Sequence, residues 1–527
     1  MGHIPERPTV RELLEARARD RPDRPYLRFE GEPITYAELD RRVNRLANSL
    51  AGIGIGPGDR VPLMLPNHPD HFIAFFALMK LGAVQVPVNV NLRGFSLEYL
   101  LEHSDPKVVI ADARYREDLM PALAKCTAEA VIWRGGGDGG AALVFEFAEM
   151  AASGAEGLPP GDPQPDDVVA ISYTSGTTGP PKGVLVTDKM YRCSAKAASL
   201  VADVRAGDVM FIWEPLYHIG GSQVMVLALE HDISLALVER FSASRFWDQV
   251  REAKATQIHY LGGILQILLK QPERPGDRDN PVRVAWGGGA PITVWQPFTD
   301  RFGPEIRENY GMTEASSVTT LNLGESPEGS NGKAAPYFEV RIGDDDGNPL
   351  GVGERGEIMV REKEPGLITK GYFRDEAATE RTLKDGWLYT GDLAYFDEDE
   401  NYFFIGRKKD SIRRRGENVS AWEVERHVNT HSDVEECAVI GVDTEIGEQD
   451  IKLFVKVQPG RTVDPLDLIR WCESGLAYFQ MPRYIDFVDE FPKTATFRIQ
   501  KEKLEKGVAK SWDLNTSGYT IERRRGA

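Results

Sequence analysis

Cysteine is scarce in this chain: Cys126, Cys193, Cys437 and Cys472 are the only four in 527 residues, far apart and without a CxxC spacing. That excludes a disulfide framework and points to plain buried thiols. The nine histidines do not cluster, which argues against a zinc site. Long apolar runs are also missing. The longest, Phe72 to Met79, falls far short of the roughly 18 to 20 residues that a membrane-spanning helix needs. Positive charge is in deficit, with 63 Lys and Arg against 81 Asp and Glu for a net charge of −18. Such a balance excludes a protein that coats nucleic acid. The opening segment is rich in Arg, Glu and Pro without an apolar signal core, and Glu6 stands where a myristoylation signal carries Ser or Thr. We therefore expect a cytoplasmic protein with no membrane-spanning segment.

What is present is enough apolar residue, 41% of the chain, to fill a large core. At about 150 residues per domain, the length suggests two to four domains. Thr9 with Glu12 and Thr35 with Glu38 fit capping boxes at two helix starts. Arg60 to Leu65, Val84 to Val88 and Val108 to Ala111 read as short buried strands, separated by helical stretches at Phe72 to Leu81 and Ser96 to Glu102. That rhythm predicts a parallel sheet with covered faces. Gly135 to Gly140 and Leu158 to Asp167 read as loops, because glycine is too free and proline lacks a donor. Turns are expected at Asp344 to Asn348 and Asp397 to Asn401, and no repeat is visible. The last 120 or so residues read as a small α+β domain: a basic run, a helix from Trp422 to Val428, and strands around Cys437 to Gly441, Leu453 to Val457 and Ile485 to Val488.

The densest chemical signal is YTSGTTGPPKG, Tyr173 to Gly183, after a strand-like run at Val168 to Ser172. Glycines let backbone N–H groups converge on an anion, while Thr174, Ser175, Thr177 and Thr178 donate hydroxyls and Lys182 adds charge. This is a polyphosphate loop. It is not a Walker A loop, because Gly179 is followed by Pro180 and Pro181 instead of Lys and a hydroxyl residue.

With this loop the chain resembles the adenylate-forming superfamily of acyl-CoA synthetases, peptide-synthetase adenylation domains and beetle luciferases. Further motifs of that superfamily follow in order: His218 in LYHIGG, Gly287 to Pro291 in WGGGAP, Asn309 to Glu314 in NYGMTE, Tyr389 to Asp392 in YTGD, and GRKKDSIRRRGEN from Gly406 to Asn418. Within it, RRRGENVSAWEVE looks most like the carnitine-CoA and crotonobetaine-CoA ligases. The resemblance implies an α/β fold: a large, multi-subdomain N-terminal domain (1–407) with parallel and mixed sheets covered by helices, and a small mobile α+β C-terminal domain (408–527) hinged at Lys409. It implies ATP, Mg²⁺ and coenzyme A as cofactors, a small carboxylic acid as substrate, and allows a homodimer.

The residue readings run beside that resemblance. Tyr310 offers a ring face for adenine and Asn309 an amide for its edge. Glu314 supplies the hard oxygen that Mg²⁺ prefers and Thr313 a phosphate donor. Asp392 can accept from both ribose hydroxyls, and the resemblance adds Arg407 there. Gly287, Gly288 and Gly289, with Ala290, permit close backbone approach to adenine and acyl group, and Gly311 belongs to the same nucleotide set. The resemblance places His218 beside the acyl and thiol-entry site. It assigns the nucleotide loop to Thr174, Ser175, Gly176, Thr177, Thr178, Gly179 and Lys182, an adenylate contact to Arg413, and the pantetheine tunnel and substrate side to Gly416 and Asn418. Arg414 and Arg415 read as solvent-facing charge, with contact to the phosphates of coenzyme A as the alternative for either. Trp213, Tyr260, Leu261, Gly262, Gly263, Trp286 and Met312 are candidate walls of the acid pocket.

One motif departs from the pattern. Where the superfamily carries a lysine that bridges the α-phosphate and carboxylate, this chain reads Pro492 to Ile499, PKTATFRI, with Arg498 in the lysine slot. A guanidinium keeps the charge but is broader and planar. Arg498 itself, Lys501, or Lys493 by a register shift are the candidates for that role. The departure leaves open a catalytically weak nucleotide binder, and an amino-acid-adenylating enzyme is the other alternative.

Overall fold

The computed structural model describes residues 3–137, 142–174, 181–408, 411–414, 417–444, 449–476, 480–494 and 498–521, with backbone alone at 411, 413, 417, 418, 420 and 423. Two large sheets organise the first four-fifths of the chain. In the first, seven strands run in the order Leu143–Glu146, Ala130–Arg134, Val108–Asp112, Arg60–Met64, Val84–Pro87, Val168–Thr174 and Lys182–Thr187. All neighbours are parallel except the last pair, a hairpin. The expected rhythm of buried strand and covering helix is therefore present.

The second sheet has nine strands. Its parallel middle is Glu305–Tyr310, Val284–Gly288, Gln257–Leu261, Val209–Ile212, Ser234–Leu237 and Pro25–Phe29. Antiparallel strands close both edges.

Helices fill the space between the sheets. Pro69–Leu81 is buried at every position but Asp70, and Asp188–Val201 at all but Lys196 and Leu200. A helix that is apolar all round belongs in the interior. One continuous core accordingly joins Leu63 and Val61 of the first sheet, Phe72 to Leu81, Val224 to Leu229, and Met210 and Leu235 of the second.

A five-stranded antiparallel sheet follows, formed by Phe338–Gly343, Gly356–Glu362, Leu383–Lys384, Trp387–Phe396 and Tyr402–Arg407. The C-terminal part builds a four-stranded mixed sheet from Val434–Asp443, Gln449–Val457, Tyr484–Phe487 and Trp512–Asp513, with helices Ala421–Val428 and Pro465–Glu473. Its two apolar cores share no residue with those of the larger part. This is the large α/β plus small α+β architecture expected from the sequence.

Some local readings change. Thr9 forms the full reciprocal box with Glu12, but Thr35 caps alone: its hydroxyl accepts from Glu38 N while the Glu38 carboxylate pairs with Arg41 and Arg42. Arg414 does not face solvent. It is 3% exposed, with Nε 3.1 Å from Asp450 Oδ1 and its guanidinium donating to the Met481 carbonyl. Its partners come from strands far along the chain, so the basic run gave no hint of them. Arg415 lies outside the described residues. Cys193, Cys437 and Cys472 are buried, Cys126 is half-buried, and all four are free thiols.

Candidate active site

The phosphate-loop motif sits on the hairpin at the edge of the seven-stranded sheet. Thr174 and Lys182 are cross-strand partners there, and the Thr174 hydroxyl lies 3.5 Å from the Lys182 carbonyl. The two ends of the motif are thus held as shoulders of one turn. Ser175, Gly176, Thr177, Thr178 and Gly179 lie outside the described residues.

Lys182 reaches the NYGMTE segment through one aromatic ring. Its Nζ lies 5.1 Å from the centre of the Tyr372 ring, and Tyr372 O–H donates to Glu314 Oε1 at 2.9 Å. Glu314 is 5% exposed, and its carbonyl accepts from Thr369 N at 2.8 Å. Burial raises the Glu314 carboxyl above the ordinary range, the signature of a carboxylate whose charge lacks a counter-ion. Thr313 opens the single helical turn that carries it. Gly311, just before, admits no side chain: a Cβ would meet the Ser317 carbonyl at 1.7 Å.

A second cluster joins three motifs. Tyr310 ends the strand Glu305–Tyr310, and its O–H donates to Asp392 Oδ2 at 2.8 Å. Asp392 and Arg407 are opposed on neighbouring antiparallel strands, with Arg407 Nε 3.3 Å from Asp392 Oδ1. The ring of Phe404 stacks on Tyr310 with centres 5.9 Å apart. Beside it, Asn309 Oδ1 is buried without a hydrogen-bond partner among the described residues. An orphaned amide acceptor is what a purine edge with an exocyclic N–H₂ would satisfy.

The glycine loop is held by a residue that sequence reasoning missed. Glu308 accepts from Gly289 N at 3.1 Å and Ala290 N at 2.6 Å, from the Tyr260 hydroxyl at 3.0 Å, and from Asn331 Nδ2 at 3.2 Å. The amides of Gly289 and Ala290 are thus already engaged, so the loop offers surface and shape, with Gly288 O also bonded to Gly262 N at 2.9 Å. Burial pushes the Glu308 carboxyl up to about 7. The available signal was parity: Glu308 shares the inward face of its strand with Ile306 and Tyr310. Gly287 is required by packing, since a Cβ there would lie 1.9 Å from the Tyr260 carbonyl.

His218 stands at the cap position of the helix Ile219–Glu230, its ring 4.7 Å from that of Tyr217. Burial pushes its imidazole down to about 4, so it is neutral near pH 7. Of the candidate pocket walls, Trp213, Tyr260 and Trp286 are sealed in the interior, whereas Leu261, Gly262, Gly263 and Met312 stay partly open. The indole of Trp213 is fixed there by its bond to the His259 carbonyl at 2.8 Å.

In the C-terminal unit, Arg498 is exposed and its backbone N–H donates to Thr494 Oγ1 at 3.1 Å. Lys493 pairs with Glu436 at 2.6 Å and Lys501 with Glu425 at 2.7 Å. Arg413 and Asn418 are register partners in a small hairpin of which only the backbone is described at these positions. Lys409 and Gly416 lie outside the described residues. Among the described residues there is no cluster of three metal-ligating side chains and no helix long and apolar enough to cross a membrane.

A family model described as AMP-binding enzyme matches residues 14–373, and one for the AMP-binding enzyme C-terminal domain matches residues 423–498. The chain belongs to the AMP-binding enzyme family. This is the adenylate-forming superfamily to which its motifs pointed. Among relatives of this AMP-binding enzyme, the crotonobetaine/carnitine–CoA ligase of Salmonella typhi is 31% identical over 490 residues, covering 90% of this chain and 93% of that protein. An anthranilate CoA ligase solved with anthranoyl-AMP superimposes with a TM-score of 0.86 at 25% identity, covering 94% of this chain and 96% of the other. The o-succinylbenzoate CoA synthetase of Bacillus subtilis, solved with its acyl-adenylate, gives a TM-score of 0.82 at 27% identity, covering 94% and 98%.

Proposed function

We propose that this AMP-binding enzyme is an acid–thiol ligase that couples a small carboxylic acid to coenzyme A at the expense of ATP. The observation that carries the reading is the meeting of separate motifs in two buried clusters: Lys182, Tyr372 and Glu314 on one side, Tyr310, Asp392 and Arg407 on the other. The first suits a polyphosphate and the second a ribose with its base.

In the first half-reaction a carboxylate oxygen of the acid attacks the α-phosphorus. A C–O–P mixed anhydride forms, the α–β bridging P–O bond breaks, and pyrophosphate leaves. Lys182 and the hydroxyls of its loop hold the phosphates, and Arg498 takes the place of the usual lysine near the reacting oxygens. In the second half-reaction the thiol of coenzyme A loses its proton to solvent, its sulfur forms a bond to the acyl carbon, and AMP leaves with the electron pair of the C–O bond. Neutral His218 borders this site without adding charge to it.

A divalent cation fits Glu314: the carboxylate is buried, burial raises its pKa, and the Tyr372 hydroxyl donates to it. Mg²⁺ bound there would neutralise phosphate charge. We assign the large domain to residues 1–407 and the small one to 408–527, with Lys409 as the hinge whose rotation exchanges the two half-reactions. The cytoplasm, where ATP and coenzyme A are abundant, is the compartment that suits this chemistry.

The test is acid-dependent pyrophosphate release with ATP over a broad panel of carboxylic acids, with the thioester read by mass spectrometry. The second reading, a weak nucleotide binder, draws on Arg498 and on the engagement of Lys493 and Lys501 by Glu436 and Glu425. ATP binding without pyrophosphate release for any acid would favour it.

A further inference from the structure

One group of buried polar side chains lies beside the candidate acid-pocket walls Leu261, Gly262 and Gly263. His259 stands two residues before Leu261 on the strand Gln257–Leu261, on the same face but deeper than the open rim at Leu261 to Gly263. Its Nδ1 bonds the Glu214 carboxyl, and the two side chains are 5% and 1% exposed. Trp286 is its register neighbour on the next strand, with ring centres 4.0 Å apart. The imidazole edge faces the start of the helix that His218 caps, since a Cβ on Gly220 would lie 3.7 Å from His259 Cε1. Glu214 and His259 are 45 residues apart in sequence and belong to none of the motifs.

Three polar atoms of this neighbourhood go unused. No described residue bonds His259 Nε2. Trp286 Nε1 is buried without a hydrogen-bond partner, and so is Gln223 Oε1, one turn along the helix from Gly220. Buried polar groups are rarely left this way without a ligand or water to meet them.

Burial decides which of these atoms donate. It pushes the His259 imidazole down to about 3, so the ring stays neutral. Glu214 pairs with no Lys or Arg among the described residues, and a lone carboxylate in this interior would be an uncompensated charge. With the pair net neutral, one proton is shared between Glu214 and Nδ1 and the other ring proton sits on Nε2. Moving the shared proton across to give an ion pair leaves Nε2 protonated as well. In both forms Nε2 is a donor, like the indole nitrogen beside it.

We propose that His259 Nε2–H, positioned by Glu214, binds an acceptor oxygen at the end of the acid opposite its carboxylate, so that the substrate is an oxygenated acid and not a plain hydrocarbon one. This rests on the acid-ligase reading and narrows its substrate class. His259 is then a specificity-determining residue and Glu214 a positioning residue.

The test compares matched acids with the full-length protein, ATP and coenzyme A: 4-oxopentanoate against pentanoate, 6-hydroxyhexanoate against hexanoate, and 3-hydroxybenzoate against benzoate. A site built to hydrogen-bond a substrate group rejects analogues lacking it strongly, so at least one oxygenated acid should exceed its partner in kcat/KM by about 10²-fold or more. His259→Leu should collapse that ratio toward unity, mainly by raising KM for the oxygenated acid, and His259→Gln, which keeps a donor, should restore part of it. ATP binding by calorimetry checks that each variant is folded. Should His259→Leu not fold, His259→Phe, which keeps a planar ring without a nitrogen donor, should lower the ratio. Equal or better use of every hydrocarbon acid by the wild type, or a ratio untouched by the variants, overturns the proposal and leaves the ligase reading standing. No pyrophosphate release with any of these acids, or with any acid of the broader panel, takes both down.

Discussion

The acidic and basic halves of the candidate site are prepared differently. In the large part, Glu314, Asp392 and Glu308 are each buried and each hydrogen-bonded by a residue from another motif or strand. In the C-terminal part, Arg498 lies on the surface, while Lys493 and Lys501 are bound by glutamates of that same part. The proposed nucleotide cradle is thus built into the core, and the cations proposed to act on the reacting oxygens are placed by the smaller unit. Such a division suits a reaction in which one binding site serves two chemical steps with the small unit arranged differently in each.

The sharpest way to break this comparison is to attack one member of each half. Glu314→Gln should lower acid-dependent pyrophosphate release by roughly 10²- to 10³-fold, the scale of losing a charged group that acts in the transition state. Arg498→Ala should lower it by about 10²-fold, with kcat carrying the loss. Lys501→Ala should change it little, because Glu425 already occupies that ammonium. If Lys501→Ala proves the damaging change and Arg498→Ala the silent one, the assignment of the cation is reversed.

Glu308 sharpens the contrast through stability. Glu308→Ala strips partners from two amides, a tyrosine hydroxyl and an asparagine, and should cost about 3 kcal/mol in denaturant unfolding. Its pH dependence has a definite sign. The unfolded carboxyl titrates near the ordinary glutamate value of 4.5 and the folded one at about 7, so the folded state binds the extra proton between them. The stabilisation is complete below about 4.5 and is lost as pH rises toward about 7. Glu308→Gln should remove that slope, and an unchanged slope would mean the titrating group is another one.

The smallest effect concerns the two helix starts. Thr9→Ala should cost about 1 kcal/mol and Thr35→Ala about half as much, because only Thr9 completes the reciprocal box. Equal costs in thermal unfolding would show that the Glu12 arm contributes nothing.

The family and the two-part fold could be read from the chain because their signals are local. A turn dense in glycine and hydroxyls, a YTGD or an NYGMTE carries its chemistry within a few residues, and alternating strand and helix patterns announce a covered parallel sheet. What could not be read depends on partners brought together by folding. Glu308 looks like any charged residue until its strand is known to turn it inward toward the amides of Gly289 and Ala290. Arg414 sits in a basic run that reads as solvated, yet Asp450 and the Met481 carbonyl bury it. Thr35 with Glu38 has the letters of a capping box, but Arg41 and Arg42 draw the glutamate away. Glu214 and His259 are ordinary residues in two separate segments and become a pair only where the loop after the strand Val209–Ile212 meets the strand Gln257–Leu261.

The most direct test is to incubate the purified protein with ATP, Mg²⁺ and the acid panel without coenzyme A, and to look for acyl-AMP by mass spectrometry. The account predicts an acyl-adenylate with at least one acid, formed together with pyrophosphate, converted to the thioester when coenzyme A is added, and largely lost in Glu314→Gln. Bound ATP that is never converted to an adenylate with any acid would contradict it.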